Sequence, residues 1–247
     1  MAWLFVLPCR RYRLFDTASM SMGAYNRSAA VIGRVLERRG QRAEVFLVTK
    51  NDITAHGFNS TLEDIERSLA ALRTNYIDLY LIHHPDCAYG HQCEGTWRET
   101  WRAMEVAHRA GQLRALGVSN FGVNLLRELV VFARIPPDVV QNLHHPLAPD
   151  RAVVAFARAH GLAFQSFSTI GGHVGAAQNN LVLTHATVVE IAFAHGRTPA
   201  QVRRCQTRDV TMCLCFVAES THGRRVVCCL GIVDLAAILP GATEGGV

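Results

Sequence analysis

Val45-Phe46-Leu47-Val48-Thr49-Lys50 is the stretch on which the fold of this chain turns. Up to the lysine it is apolar or β-branched without a break, and it does not alternate with polar residues. A strand with one face in water alternates; a strand covered on both faces is a continuous apolar run, the mark of a parallel sheet sheathed by helices. The residue that ends the run is the only lysine of the protein, every other one of its 25 basic side chains being arginine. Lysine is a compact point charge that shifts its pKa on burial and tunes a neighbouring acid, which a guanidinium does poorly. The carboxyl end of a buried strand is also where α/β folds place their chemistry. The plainer alternative is a lysine that only snorkels from a strand end.

Outward from this run the pattern alternates in both directions. Strands are predicted at 12–15 (ending at Asp16), 76–82, 115–118, 139–140 and 162–167. A helix is predicted over 26–39, with Ala30, Val31, Val35 and Leu36 inward and Gly40 as its stop. Ser60-Thr61-Leu62-Glu63 has the form of a capping box opening a helix whose Leu62, Ile65, Leu69 and Leu72 make one stripe. Further helices are predicted at 95–110, 123–133, 151–160 and 187–195, and Thr198-Pro199 opens another. Apolar strands between amphipathic helices define an α/β protein with a parallel sheet. No Gly-x-Gly-x-x-Gly follows the first strand, which disfavours an open dinucleotide-binding sheet. The expected fold is therefore a (β/α)8 TIM-barrel-like one.

Composition narrows the function classes. With 247 residues, 49% of them hydrophobic, the chain can bury one large core. A charged fraction of 18% and a mean hydropathy of +0.12 exclude a disordered chain. No apolar stretch approaches the roughly 20 residues of a membrane helix. The opening Ala2-Trp3-Leu4-Phe5-Val6-Leu7 is too short for a signal-peptide core, so a cytoplasmic protein is expected. The net charge of +5 is scattered as single arginines, giving no nucleic-acid footprint. The eight cysteines are expected as reduced thiols. Cys213-x-Cys215 and Cys228-Cys229, with His222, lack the spacer of structural zinc sites, and no metal is expected.

In a β/α barrel the carboxyl ends of all strands meet at one mouth. Those ends carry Asp16, Lys50, His83, Ser119-Asn120, Gln141 and Ser166-Phe167-Ser168. A carboxylate, an ammonium and an imidazole gathered there are the parts of an acid–base site. Singly each has an ordinary role: Asp16 as a cap, His83 as a structural histidine, Ser119-Asn120 as a strand-end turn.

Phe15-Asp16-Thr17-Ala18, Val48-Thr49-Lys50, Asp78-Leu79-Tyr80-Leu81-Ile82-His83-His84-Pro85, Gly117-Val118-Ser119-Asn120-Phe121 and Gln141-Asn142-Leu143-His144-His145-Pro146 resemble, in order, successive motifs of the aldo-keto reductase family. The resemblance covers residues 12 to about 202. It implies reduction of a carbonyl by hydride from NADP(H), with NAD not excluded, and a small-molecule aldehyde or ketone as substrate. Tyr25 would protonate the carbonyl oxygen. A free tyrosine titrates near 10, and a neighbouring ammonium lowers that value, which is the part implied for Lys50. Asp16 would hold Lys50, and His83 would orient the carbonyl. Ser119, Asn120 and Gln141 would bind the nicotinamide carboxamide, with Ser168 beside them. Phe167 would stack on the nicotinamide ring, keeping the π-face of the usual tyrosine.

The same comparison implies departures. Only residues 1–15 precede Asp16, too few for the first βα unit of the family, and the loop from Asp16 to Tyr25 is longer than usual. After Val202 the chain no longer resembles the segment that grips the cofactor's 2′-phosphate. The expected organisation is an incomplete barrel over 1–202 and an atypical cysteine-rich segment over 203–247. The competing reading is a non-catalytic binding or regulatory relative. Oligomeric state is not legible.

Overall fold

A computed structural model describes residues 13–19, 25–87, 91–169, 171 and 181–202, and three short strands beyond them. Seven strands form one sheet in chain order: β1 (Leu14–Asp16), β2 (Phe46–Lys50), β3 (Ile77–Ile82), β4 (Leu113–Ser119), β5 (Val139–Leu143), β6 (Ala163–Phe167) and β7 (Met212–Cys213). Every neighbouring pair is parallel. Helices α1 (Tyr25–Arg39), α2 (Phe58–Leu72), α3 (Trp97–Arg109), α4 (Val123–Phe132) and α5 (Arg151–Ala159) connect consecutive strands, and α6 (Leu181–Thr184) and α7 (Ala186–Ala194) follow β6. β8 (Val217–Glu219) and β9 (Arg225–Val227) make a separate antiparallel pair. The helix opened by Thr198 and Pro199 is present over 199–202, and Thr198 Oγ1 accepts from Gln201 N at 3.2 Å.

The sheet is curled, and one bond demonstrates it. β1 and β5 stand four places apart, which in a flat sheet is about 19 Å. Yet Gln141 Nε2 on β5 donates to Asp16 Oδ2 on β1 at 3.0 Å. Alternate residues of the strands divide accordingly. Phe46, Val48, Leu79, Leu81, Ala115 and Val139 form an inner cluster, with Leu14 and Ala163 against it. Leu47, Tyr80, Leu116, Val140 and Phe164 point outward, onto Ile65, Leu72, Trp101, Met104 and Leu126 of the helices. This is the (β/α)8 arrangement expected, and it is open: among the described residues no pairing joins β7 to β1.

Two local expectations are corrected. Val31 is 36% exposed rather than inward. The buried face of α1 runs instead through Ala29, Gly33, Val35 and Leu36. The helix is turned this way because Gly33 sits against the end of α2, where a Cβ would lie 2.5 Å from Ala71 O. Second, α2 starts at Phe58, ahead of the proposed capping box, with Gly57 as N-cap. Its free Ser60 N–H donates to Glu94 Oε2 at 2.8 Å, so a carboxylate from a distant loop takes the place given to Glu63. The reciprocal box occurs elsewhere, between Thr96 and Glu99 of α3.

The Gly33 contact yields a test. Gly33→Ala gains helix propensity but forces α1 off α2; overpacking of this kind costs about 1–3 kcal/mol. A urea titration is expected to show a net loss of stability, with an unchanged slope.

Candidate active site

Asp16 and Lys50 end β1 and β2, and both side chains are out of water, at 0% and 2% exposure. Lys50 Nζ lies 2.5 Å from Asp16 Oδ1 and also donates to Thr17 O at 3.1 Å. Asp16 Oδ2 accepts from Gln141. A carboxylate whose two oxygens both accept is acting as an ionised acceptor. Burial nonetheless pushes the Asp16 carboxyl above its ordinary range, opposed by the Lys50 charge and by the Lys50 and Gln141 hydrogen bonds. The loop after β1 is tied over the pair, Thr17 N donating to Val48 O and Ser19 N to Lys50 O.

His83 follows β3. Its backbone N–H donates to Asn51 Oδ1 at 2.7 Å, which fixes the turn that presents the ring. Burial, then the Lys50 charge and His84, drive its imidazole down to about 3, so it is neutral near pH 7. Its buried Nδ1 meets no partner among the described residues. A neutral imidazole beside a fixed ammonium donates a hydrogen bond without adding charge.

Ser119 ends β4 and Asn120 follows it. Asn120 takes the left-handed conformation (φ 61), held by Nδ2 donating to His83 O at 2.8 Å and to Ser119 Oγ at 3.2 Å. Its backbone N–H donates to Gln141 O. Asp16, Lys50 and Gln141 thus form one bonded group, while His83, Ser119 and Asn120 form a second, joined to it through the Gln141 backbone. Phe167 ends β6 half-buried, and Ser168 follows in the left-handed conformation (φ 51). Tyr25 is the first residue of α1; its side chain lies outside the described residues. So does the stretch 203–211, where the 2′-phosphate segment was sought.

Sequence reasoning missed Gln165, whose Oε1 accepts from Gln141 Nε2 at 2.9 Å. The signal was strand alternation: with Ala163 inward, Gln165 is inward too, and Ser166 is not. It also missed Asp64, fully buried on α2, which accepts from Tyr80 Oη at 2.7 Å and from Ser19 Oγ at 2.6 Å. A cavity of about 440 Å³ opens alongside, lined by Ser19, Thr49, Asp52, Arg67 and Ser68, apart from the residues at the mouth. Asp78 bonds Arg42 at 2.7 Å. The reduced-thiol expectation fails for Cys87 and Cys93, which form a disulfide in the loop after β3. Their Cα atoms stand 6.0 Å apart, within bridging reach.

Parallel strands alternating with helices, with a lysine–aspartate pair, a histidine and amide side chains at the strand ends, make this an incomplete β/α barrel. The chain belongs to the aldo/keto reductase family, whose sequence profile matches residues 9–202. It is 34% identical over 191 residues to glyoxal reductase of Bacillus subtilis, covering 77% of this chain and 63% of that one. It is 32% identical over 217 residues to the NAD(P)H-dependent D-xylose reductase of Scheffersomyces stipitis, covering 77% and 68%. Among solved structures, aldose reductase of Giardia lamblia superposes with a TM-score of 0.71 at 28% identity, covering 81% of this chain and 70% of that one. The chain spans about 63% of the length of several curated relatives it matches. Among the described residues no helix is long and apolar enough to cross a membrane.

Two measurements check the site's electrostatics. Lys50→Met strands a buried carboxylate, and breaking such a pair costs about 3–5 kcal/mol; chemical denaturation is expected to show that loss. For His83 the folded value lies below the ordinary 6.5, so the unfolded chain takes up the proton first as pH falls. The stability due to neutral His83 is complete above 6.5 and is lost as pH falls toward about 3. Asp16, shifted upward, contributes with the opposite sign, so the variant difference is the readout. The melting temperature of the wild type is expected to fall more steeply between pH 7 and pH 4 than that of His83→Gln.

Proposed function

We propose that the protein is an NADP(H)-dependent oxidoreductase reducing a small aldehyde or ketone to the alcohol, with Tyr25 as general acid. The observation that carries this reading is the buried Lys50–Asp16 pair beside a neutral His83. A charged pair in a barrel interior is a poor source of stability, since apolar residues of equal volume serve as well or better. Its value lies in placing an ammonium where a phenol must lose its proton near pH 7.

The residues present suit a nicotinamide. Gln141 Oε1 is a buried acceptor without a partner among the described residues. Ser119 ends the neighbouring strand with Asn120 after it, and Phe167 supplies an aromatic face at the rim. When bound, the reduced nicotinamide supplies hydride to the carbonyl carbon. Ser119, Asn120, Gln141 and Ser168 would hold and orient it, with Phe167 against the ring. His83 donates to the substrate oxygen and aligns the carbonyl, and Tyr25 delivers the proton to that oxygen as negative charge develops. Lys50 lowers the cost of the resulting phenolate, and Asp16 fixes Lys50.

The xylose reductase relative is named for NAD(P)H, and the glyoxal reductase for a small reactive aldehyde; both support the cofactor and substrate class. The barrel is assigned to residues 1–202 and a distinct segment to 203–247, from which Met212–Cys213 adds the seventh strand. A cytoplasmic location is retained as part of the proposal; there the Cys87–Cys93 bridge would face a reducing glutathione pool.

The test is purified full-length protein with NADPH and glyoxal, followed by loss of nicotinamide absorbance. Turnover is expected, reduced about 10²–10⁴-fold in Tyr25→Phe, the range for loss of a general acid. Lys50→Arg is expected to lose a similar factor. A planar guanidinium does not place a point charge on the phenol. Normal rates in Lys50→Arg would refute the role given to the ammonium. No turnover in the wild type, with no quenching of NADPH fluorescence, would favour the non-catalytic relative.

A further inference from the structure

Gln165 has no part in the mechanism above, yet it sits in the polar layer beneath the mouth. In register it faces Gln141 on β5 and Met212 on β7, and the next inward residue of its own strand is Ala163. The Gln141 amide has two N–H hydrogens. One goes to Asp16 Oδ2 at 3.0 Å and the other to Gln165 Oε1 at 2.9 Å. The reversed amide would set an oxygen against a carboxylate and against a second carbonyl, so the orientation of Gln141 is fixed.

What remains is one acceptor, Gln141 Oε1, and one donor, Gln165 Nε2, each without a partner among the described residues. Both side chains are 1% exposed. Native proteins leave few buried polar atoms unpaired, and here two of complementary kind occur on side chains bonded to each other. A primary carboxamide offers the matching set: N–H to donate and C=O to accept.

We infer that Gln165 is a further cofactor-binding residue, holding the Gln141 amide and donating through Nε2 to the carboxamide oxygen of the nicotinamide. The inference rests on the oxidoreductase reading and adds a residue to that site. It also links the cofactor to the ion pair, because Gln141 is bonded to Gln165 and to Asp16 alike.

The experiment compares three probes by calorimetry on the full chain: NADP⁺, its thionicotinamide analogue and 2′-phospho-ADP-ribose. The thio analogue replaces the carboxamide oxygen with sulfur, a weak acceptor, and 2′-phospho-ADP-ribose lacks the ring. The wild type is expected to bind NADP⁺ about fivefold or more tightly than the thio analogue, the scale of one neutral hydrogen bond. In Gln165→Leu the two should bind within about twofold of each other, the loss falling on NADP⁺, while affinity for 2′-phospho-ADP-ribose stays at the wild-type value. Gln165→Met gives the same readout if the leucine variant does not fold. Wild-type protein that binds NADP⁺ and the thio analogue equally overturns the inference alone; a buried water between the two amides would produce that result. A Gln165→Leu protein that keeps the wild-type preference also overturns it. Failure of the wild type to bind any of the three probes removes the oxidoreductase reading as well.

Discussion

One ammonium and one carboxylate, both withdrawn from water and 2.5 Å apart, set the terms for the rest of this structure. Neither charge is tolerable alone in that interior, so the strands carrying them must keep their places. Asp16 is paired with Val48 in the β1–β2 register, one inward position below Lys50, so the flexible lysine stem brings the ammonium to the carboxylate. The second oxygen of Asp16 reaches across the barrel to Gln141, which holds β1 and β5 at a separation only a curled sheet permits. Curvature and active-site geometry are thus one constraint. Asp16, Lys50, Gln141 and Gln165 are joined by hydrogen bonds, next to the apolar inner cluster that holds Val48, Leu81 and Val139.

The described strand-end groups are an ion pair, Lys50 with Asp16, and a neutral imidazole, His83. His83, near the ammonium and deep in the protein, is held neutral to about 3. Asp16 accepts a hydrogen bond on each of its oxygens. These facts put no second cation at the imidazole beside the ammonium. They also explain why the turn after β3 is so closely specified: Asn51 and Asn120 hold the two sides of His83 through backbone contacts.

Much of this was legible in the residues. Continuous apolar runs such as 45–49 between amphipathic helices fit strands covered on both faces, and β2 and β3 are buried along their whole length. Asp16, Lys50 and His83 stood out because together they lie at the ends of neighbouring apolar strands, although each alone has an ordinary role. What was not legible depends on contacts distant in sequence. The face of α1 was misjudged at Val31 because the close approach of Gly33 to Ala71 is invisible locally. The start of α2 depends on Glu94, more than thirty residues on. Gln165 was passed over because a polar residue within a strand attracts notice only once its inward direction is known. The Cys87–Cys93 bridge depends on a loop path that composition does not give.

The central claim is spatial: the lone ammonium of the chain serves the phenol of Tyr25. The most direct measurement is the distance between Tyr25 Oη and Lys50 Nζ in a crystal structure of the full chain with NADP⁺ bound. Hydrogen-bond contact, within about 3.2 Å, is the result this account predicts. A separation well beyond about 6 Å, where a charge no longer shifts a neighbour's pKa appreciably, would contradict it.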